Sequence, residues 1–286
     1  MKIENQKNKI QEVKAWARVI VQNFGHTVKF AKHLVALGIK YLKGFTTDVK
    51  LIEFLSTDPI GKEIGYGDGP CLSIFSKVRE RADPQMFEDL INVLLRQRYK
   101  NKIINRMVQD STDVDAYSRK DTDARWGKRT VPKKRQLVKK DKVEDFFGYK
   151  LHMDADADSE MPLSFSVISG NRNDKIMFPF LFEETRQNFR LKLGAKFIAD
   201  AQYSSHKING TLRFAGIIPV IPISGNKYMK TEEPKDPDYG KRWSIEHIFS
   251  RLKEMFNMRK NRFIGLKRVK MHVYSCILAY LIEYLL

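Results

Sequence analysis

Apolar residues recur every three or four positions through 13–24, 28–41, 49–55 and 86–95, which predicts a succession of amphipathic helices over residues 1–100. The segment GKEIGYGDGP interrupts them and ends at Pro70, and CLSIFSKVRERA after it reads as a short basic amphipathic helix. From residue 101 the pattern shortens. IINRMVQDST, FFGYKLHMDA and PLSFSVISGN read as three strands, the last two joined by an acidic turn at 154–160. IMFPFLFEETRQNF then reads as a helix, AKFIADAQYSS as a strand, HKINGTLRFAG as a helix and IIPVIPI as a buried apolar strand. A meander followed by alternating helix and strand predicts an α/β domain over 101–286, its mixed five-stranded sheet flanked by helices. A small helical domain over 1–100 precedes it.

The last part of the chain carries the sharpest pattern, in YGKRWSIEHIFSRLK at 239–253. If the stretch is one helix turning ~100° per residue, Tyr239, Arg242, Glu246 and Lys253 share an arc of about 60°. Ile245, Ile248, Phe249, Leu252, Met255 and Phe256 fall on a separate apolar arc. One carboxylate is thus flanked by a phenol, a guanidinium and an ammonium beside a core-facing stripe. That arrangement suits holding a metal ion against a phosphate backbone.

Composition points the same way. Lys and Arg number 52 against 34 Asp and Glu, a net charge of +18, which favours a polyanionic partner. With 42% hydrophobic residues the chain can bury a core, which excludes a disordered tail. Several short helices with a basic one among them suit a small DNA-binding module in 1–100, although a plain helical subdomain fits equally. The segment 113–145, with Lys133, Lys134 and Arg135 in KRTVPKKRQLVKKDK, reads as a phosphate-gripping arm or as a solvated basic loop. The opening MKIENQKNKIQEVK has no apolar core, so no secretory signal is visible. The apolar run VYSCILAYLIEYLL is too short to span a bilayer and reads as a core helix, so no membrane partner is expected. Cys71 and Cys276 lack metal-type spacing, and a reducing, cytoplasmic setting fits.

No Walker-type loop and no zinc-type histidine cluster is present. Carboxylates at strand ends are the better lead: Asp110 follows IINRMVQ, and Asp200 follows AKFIA. Acids at such edges on neighbouring strands sit close enough to share divalent ions, and two ions ~4 Å apart can clamp an in-line phosphoryl displacement. A capping or turn role for any one Asp is the plainer alternative. Asp123, in DTDARWG, is the alternative first acid, and Asp174 reads as a helix start. His152 is read as a satisfied sheet histidine or a residue lining the site, and Trp243 as a rim tryptophan or a base-stacking one.

The spacing Tyr-x2-Arg-x3-Glu-x6-Lys at Tyr239, Arg242, Glu246 and Lys253 resembles the signature of one group of DDE transposases of prokaryotic insertion sequences. The strings DST at Asp110, GYKLH at 148–152, GNRND at 170–174 and ADAQY at 199–203 are similar to that family's segments. The resemblance covers residues 105–286 and is loose before residue 100. It implies an RNase H-like fold and a Mg²⁺ or Mn²⁺ site of two ions on Asp110, Asp200 and Glu246. It further implies DNA contacts by Tyr239, Arg242 and Lys253. The implied activity is cleavage at element ends and strand transfer into target double-stranded DNA, by a protein working at least as a dimer. A DNA-binding protein without catalysis, or an RNase H-like nuclease without strand transfer, are the other readings.

Overall fold

A computed structural model of the chain describes residues 2–131, 142–223 and 234–284. The chain divides into two compact units, one of residues 1–102, 250–260 and 267–286, the other of 103–249 and 261–266.

The first unit is helical. Its helices are α1 (Lys2–Asn23), α2 (Ala31–Leu42), α3 (Asp48–Thr57), α4 (Pro59–Ile64), α5 (Ile74–Arg81) and α6 (Pro84–Tyr99), joined by most of a late helix, α10 (Leu266–Tyr284). The starts are written into the sequence. Thr47 accepts from the Lys50 N–H, and Asp58 and Asp83 accept from the Ile60 and Gln85 N–H groups, each just ahead of a proline in the first turn. Gly65, at φ 104°, closes α4 in the left-handed conformation that a side chain would resist. Helix α10 is buried on every side from Val273 to Leu281. A helix apolar all round requires neighbours all round, and here it finds them among helices. One of them is α2, where a Cβ on Gly38 would collide with Leu278. Tyr41 donates its hydroxyl to His272 Nδ1 (2.7 Å), while His272 Nε2–H donates to the Met258 carbonyl (3.0 Å). The expected single unit over 101–286 is therefore interrupted: residues 250–260 and 267–286 group with the helices. The cause is that apolar face.

The second unit carries a mixed sheet of six strands. They are β1 (Ile103–Asp115), β2 (Arg125–Val131), β3 (Lys142–Asp156), β4 (Met161–Ser169), β5 (Arg190–Ile198) and β6 (Ile218–Val220). The order is β2-β3-β1-β5-β6, with β4 also paired to β3. β3 runs antiparallel to β1, β2 and β4, whereas β5 runs parallel to β1 and β6 parallel to β5. The five expected strands are β1, β3, β4, β5 and β6, in the RNase H-like arrangement. Helices α7 (Phe178–Asn188) and α8 (His206–Phe214) supply the crossovers.

Two details differ from the expectation. β2 adds a sixth strand inside the segment read as a basic arm, because RWGKRTV pairs along its whole length with the first half of β3. Its lysines and arginines hid the alternation. The apolar IIPVIPI yields a strand of only three residues, since Pro219 and Pro222 have no N–H to donate.

Candidate active site

β1 and β5 set the geometry. Val108 is opposite Ile198 in the parallel register, so two residues on, Asp110 and Asp200 stand level where β5 ends. Neighbouring strands lie ~5 Å apart, and the two carboxylates repel one another. Burial first, and then the Asp200 charge, push the Asp110 carboxyl up to about 7. Asp200 is likewise raised, chiefly by burial, with Asp174 adding to it. Asp110 accepts from the Ser111 N–H (2.8 Å), and Asp200 from the Gln202 N–H (2.8 Å), opening the short 3-10 turn Ala201–Tyr203.

The opposing wall begins with a 3-10 turn, Pro237–Arg242, and continues as α9 (Trp243–Glu254). The expected unbroken helix from Tyr239 is thus corrected: Tyr239 and Arg242 precede it, and Pro237 and Gly240 favour the tighter turn. The convergence on Arg242 survives. Its Nη2 lies 2.6 Å from Glu246 Oε1 and its Nη1 3.7 Å from Asp110 Oδ2. Ile245, Ile248, Leu252 and Phe256 are buried as expected, whereas Met255 is 52% exposed. Tyr239 is half-buried in the same 3-10 turn as Arg242. Lys253, in the last turn of α9, falls within the helical unit.

A clamp that sequence reasoning missed fixes this wall. Lys196, on β5, donates to Asp236 (2.8 Å) and Asp238 (2.7 Å), while Arg106, on β1, reaches Asp238 (3.1 Å) and Asp158 (2.6 Å). Arg106 and Lys196 are partners in the β1–β5 register, so two parallel strands grip the segment leading into Arg242. Arg106 and Lys196 can each be read as a cation within a strand, but nothing local names their common partner, Asp238.

Asp123, the alternative first acid, is committed elsewhere: its Oδ2 accepts from the Leu266 N–H (2.8 Å). Neighbouring Asp121, buried, accepts from Tyr149 (2.8 Å) and the Gly265 N–H (3.1 Å). Arg125 donates to the Thr122 and Ala124 carbonyls. Asp174 does open a 3-10 turn, Asp174–Ile176, but it is buried and bound by Lys150 Nζ at 2.9 Å. His152 is fully buried, its ring nitrogens without a hydrogen-bond partner among the described residues and Nδ1 3.8 Å from Asp174. It is therefore not the satisfied sheet histidine expected. Trp243 is 47% exposed and packs its ring on His247 at 4.4 Å. Lys133, Lys134 and Arg135 lie outside the described residues.

A family model described as a transposase DDE domain matches residues 104–282. The chain belongs to the transposase DDE domain family. The match spans β1 to α10 and so takes in Asp110, Asp200 and Glu246. Among solved structures, a piggyBac transposase synaptic complex with hairpin DNA is similar at 11% identity and a TM-score of 0.45, over 90% of this chain and 66% of that one. A Mos1 transposase paired-end complex with left transposon end is similar at 11% identity and a TM-score of 0.24, over 81% and 77%. The chain thus spans 66% of the length of the first of these. No curated protein matches.

For this DDE domain the fit of a divalent ion can be judged from the donors themselves. Asp110 and Asp200 are hard oxygen ligands forced together, and their raised proton affinity marks a site short of positive charge. Glu246 is drawn to Arg242 instead, and among the described residues no three metal-ligating side chains gather into one cluster. The carboxylate pair fits a cation, and the third acid stands one ion pair away. No helix among the described residues is long and apolar enough to cross a membrane.

Proposed function

We propose that this protein is a DNA transposase that cleaves phosphodiester bonds at the ends of its element and joins the freed 3′-hydroxyl to target DNA. The single observation that carries the reading is the level placement of Asp110 and Asp200 on parallel neighbours, with Arg242 between Asp110 and Glu246.

Asp110, Asp200 and Glu246 would hold Mg²⁺ or Mn²⁺, two ions when the site is full. Bound there, the metal supplies charge neutralisation at the scissile phosphate and lowers the proton affinity of a water. The chain's own residues do the rest. Arg242 presents a planar fork of donors that suits two phosphate oxygens, and it holds Glu246 until a phosphate competes for it. Lys253 would add a cation and Tyr239 a phenolic hydroxyl for the DNA phosphates, contacts that position the backbone and carry no sequence information. The charge of +18 supports a double-stranded DNA partner. Joining two element ends calls for at least two protomers.

The test is a cleavage assay on DNA carrying the element's ends, with Mg²⁺ present and product sizes resolved. Asp110→Asn, Asp200→Asn and Glu246→Ala should each bind this DNA as the parent does and cut none of it. Parent-like cutting by Glu246→Ala would overturn the assignment. Cut products without joined products would mark a nuclease lacking strand transfer.

A further inference from the structure

Immediately beyond Asp200 the chain lines a polar groove of 540 Å³, to which Ala201 and Gln202 contribute one wall. The facing wall is β2, the strand absent from the expected sheet, through Trp126, Gly127 and Lys128. The turn after β4, carrying Arg172 and Lys175, closes it. Where the walls meet, Gly127 and Gly170 touch backbone to backbone, and a Cβ on Gly127 would strike the Gly170 carbonyl. Side chains are thereby excluded from that junction.

The lining has two chemistries. Lys128 and Arg172 are exposed and make no side-chain interaction among the described residues, so both offer charge to an anion. Lys175 is anchored to the Ser204 carbonyl (2.7 Å), and Lys150 to Asp174, which fixes their positions. Trp126 is 52% exposed, yet its indole is held: the Arg119 guanidinium lies over it at 4.4 Å and the Phe147 ring packs at 5.5 Å. An exposed aromatic held rigid beside unpaired cations is a stacking platform next to a phosphate grip. A volume of this size suits a ligand of one or two nucleotides.

We infer that this groove is a second DNA subsite, which takes an unpaired nucleotide of the strand adjoining the scissile phosphate. Its base lies on Trp126, and its phosphate is held by Lys128 and Arg172. The inference rests on the transposase reading of the neighbouring carboxylates, and it gives β2 a purpose within that reading. Because the groove begins one residue from Asp200, a strand seated in it is set in register with the reacting bond.

The test compares binding of a fluorescein-labelled 12-nucleotide single strand and a 20-base-pair duplex by the full chain, using anisotropy at fixed salt. Trp126→Ala and the double variant Lys128→Glu/Arg172→Glu should each weaken the single strand about tenfold and the duplex less than threefold. Trp126→Phe should retain most single-strand affinity. Melting temperatures matched to the parent show that each variant is folded. Unchanged single-strand binding, or equal losses on both DNAs, would overturn the subsite while leaving the transposase reading intact. A parent that binds neither DNA would overturn both.

Discussion

Arg242 is the side chain on which the candidate site turns. It neutralises Glu246 at 2.6 Å while standing 3.7 Å from Asp110, so it occupies the place between acids that an added cation would contest. Arg242→Lys keeps the charge but loses the fork. It should bind DNA within about threefold of the parent, yet cleave at least tenfold more slowly, as single-turnover rates would show. Parent-like rates would remove Arg242 from the machinery. A second residue-scale expectation concerns His272, buried in the helical unit, where burial drives its proton affinity down to about 4. The folded imidazole stays neutral, but the unfolded one takes a proton below about 6.5. Stability therefore falls as pH drops from about 6.5 to 4, by roughly 3 kcal/mol from this group alone. His272→Gln should melt lower than the parent at pH 7 and lose less on acidification. A decline as steep as the parent's would contradict it.

At the scale of elements, the segment entering α9 is held by ions more than by packing. Asp238 links Arg106 on β1 to Lys196 on β5, all three partly exposed. Such pairs contribute little stability, under about 1 kcal/mol. Their value is placement. Asp238→Asn should leave the melting temperature within a few degrees while slowing cleavage about tenfold, because Arg242 is then less well aimed. Unchanged cleavage would reduce the clamp to a surface feature. Much at this scale was legible in the sequence: the helices around 49–55 and 86–95, the strand carrying Asp110 and the buried face of α9 all follow from local pattern. What was not legible required distance in the chain. The place of the Pro237–Arg242 turn is set by a clamp from two remote strands, and β2 is held by the first half of a β3 whose second half pairs with β4. Period alone carries no such information.

For the whole molecule, a charge of +18 makes DNA association an ion-exchange process, so log affinity should fall linearly with log salt. A titration from 50 to 200 mM salt is expected to weaken duplex binding by about a hundredfold or more; a flat response would exclude phosphate contacts as its source. Asp110 and Asp200 were readable here because each follows an apolar run, and Glu246 because of its spacing from Arg242 and Lys253. The helical unit's membership was not, since α10 shows only that it must be buried and not among which partners. That helix lies across Gly38 and against Tyr41, more than two hundred residues earlier in the chain. During synthesis, then, residues 1–102 emerge with an apolar trough and nothing to fill it, while the sheet of residues 103–249 is completed meanwhile. The place that α10 takes on α2 therefore stays open to solvent and chaperones until the ribosome has delivered the last helix.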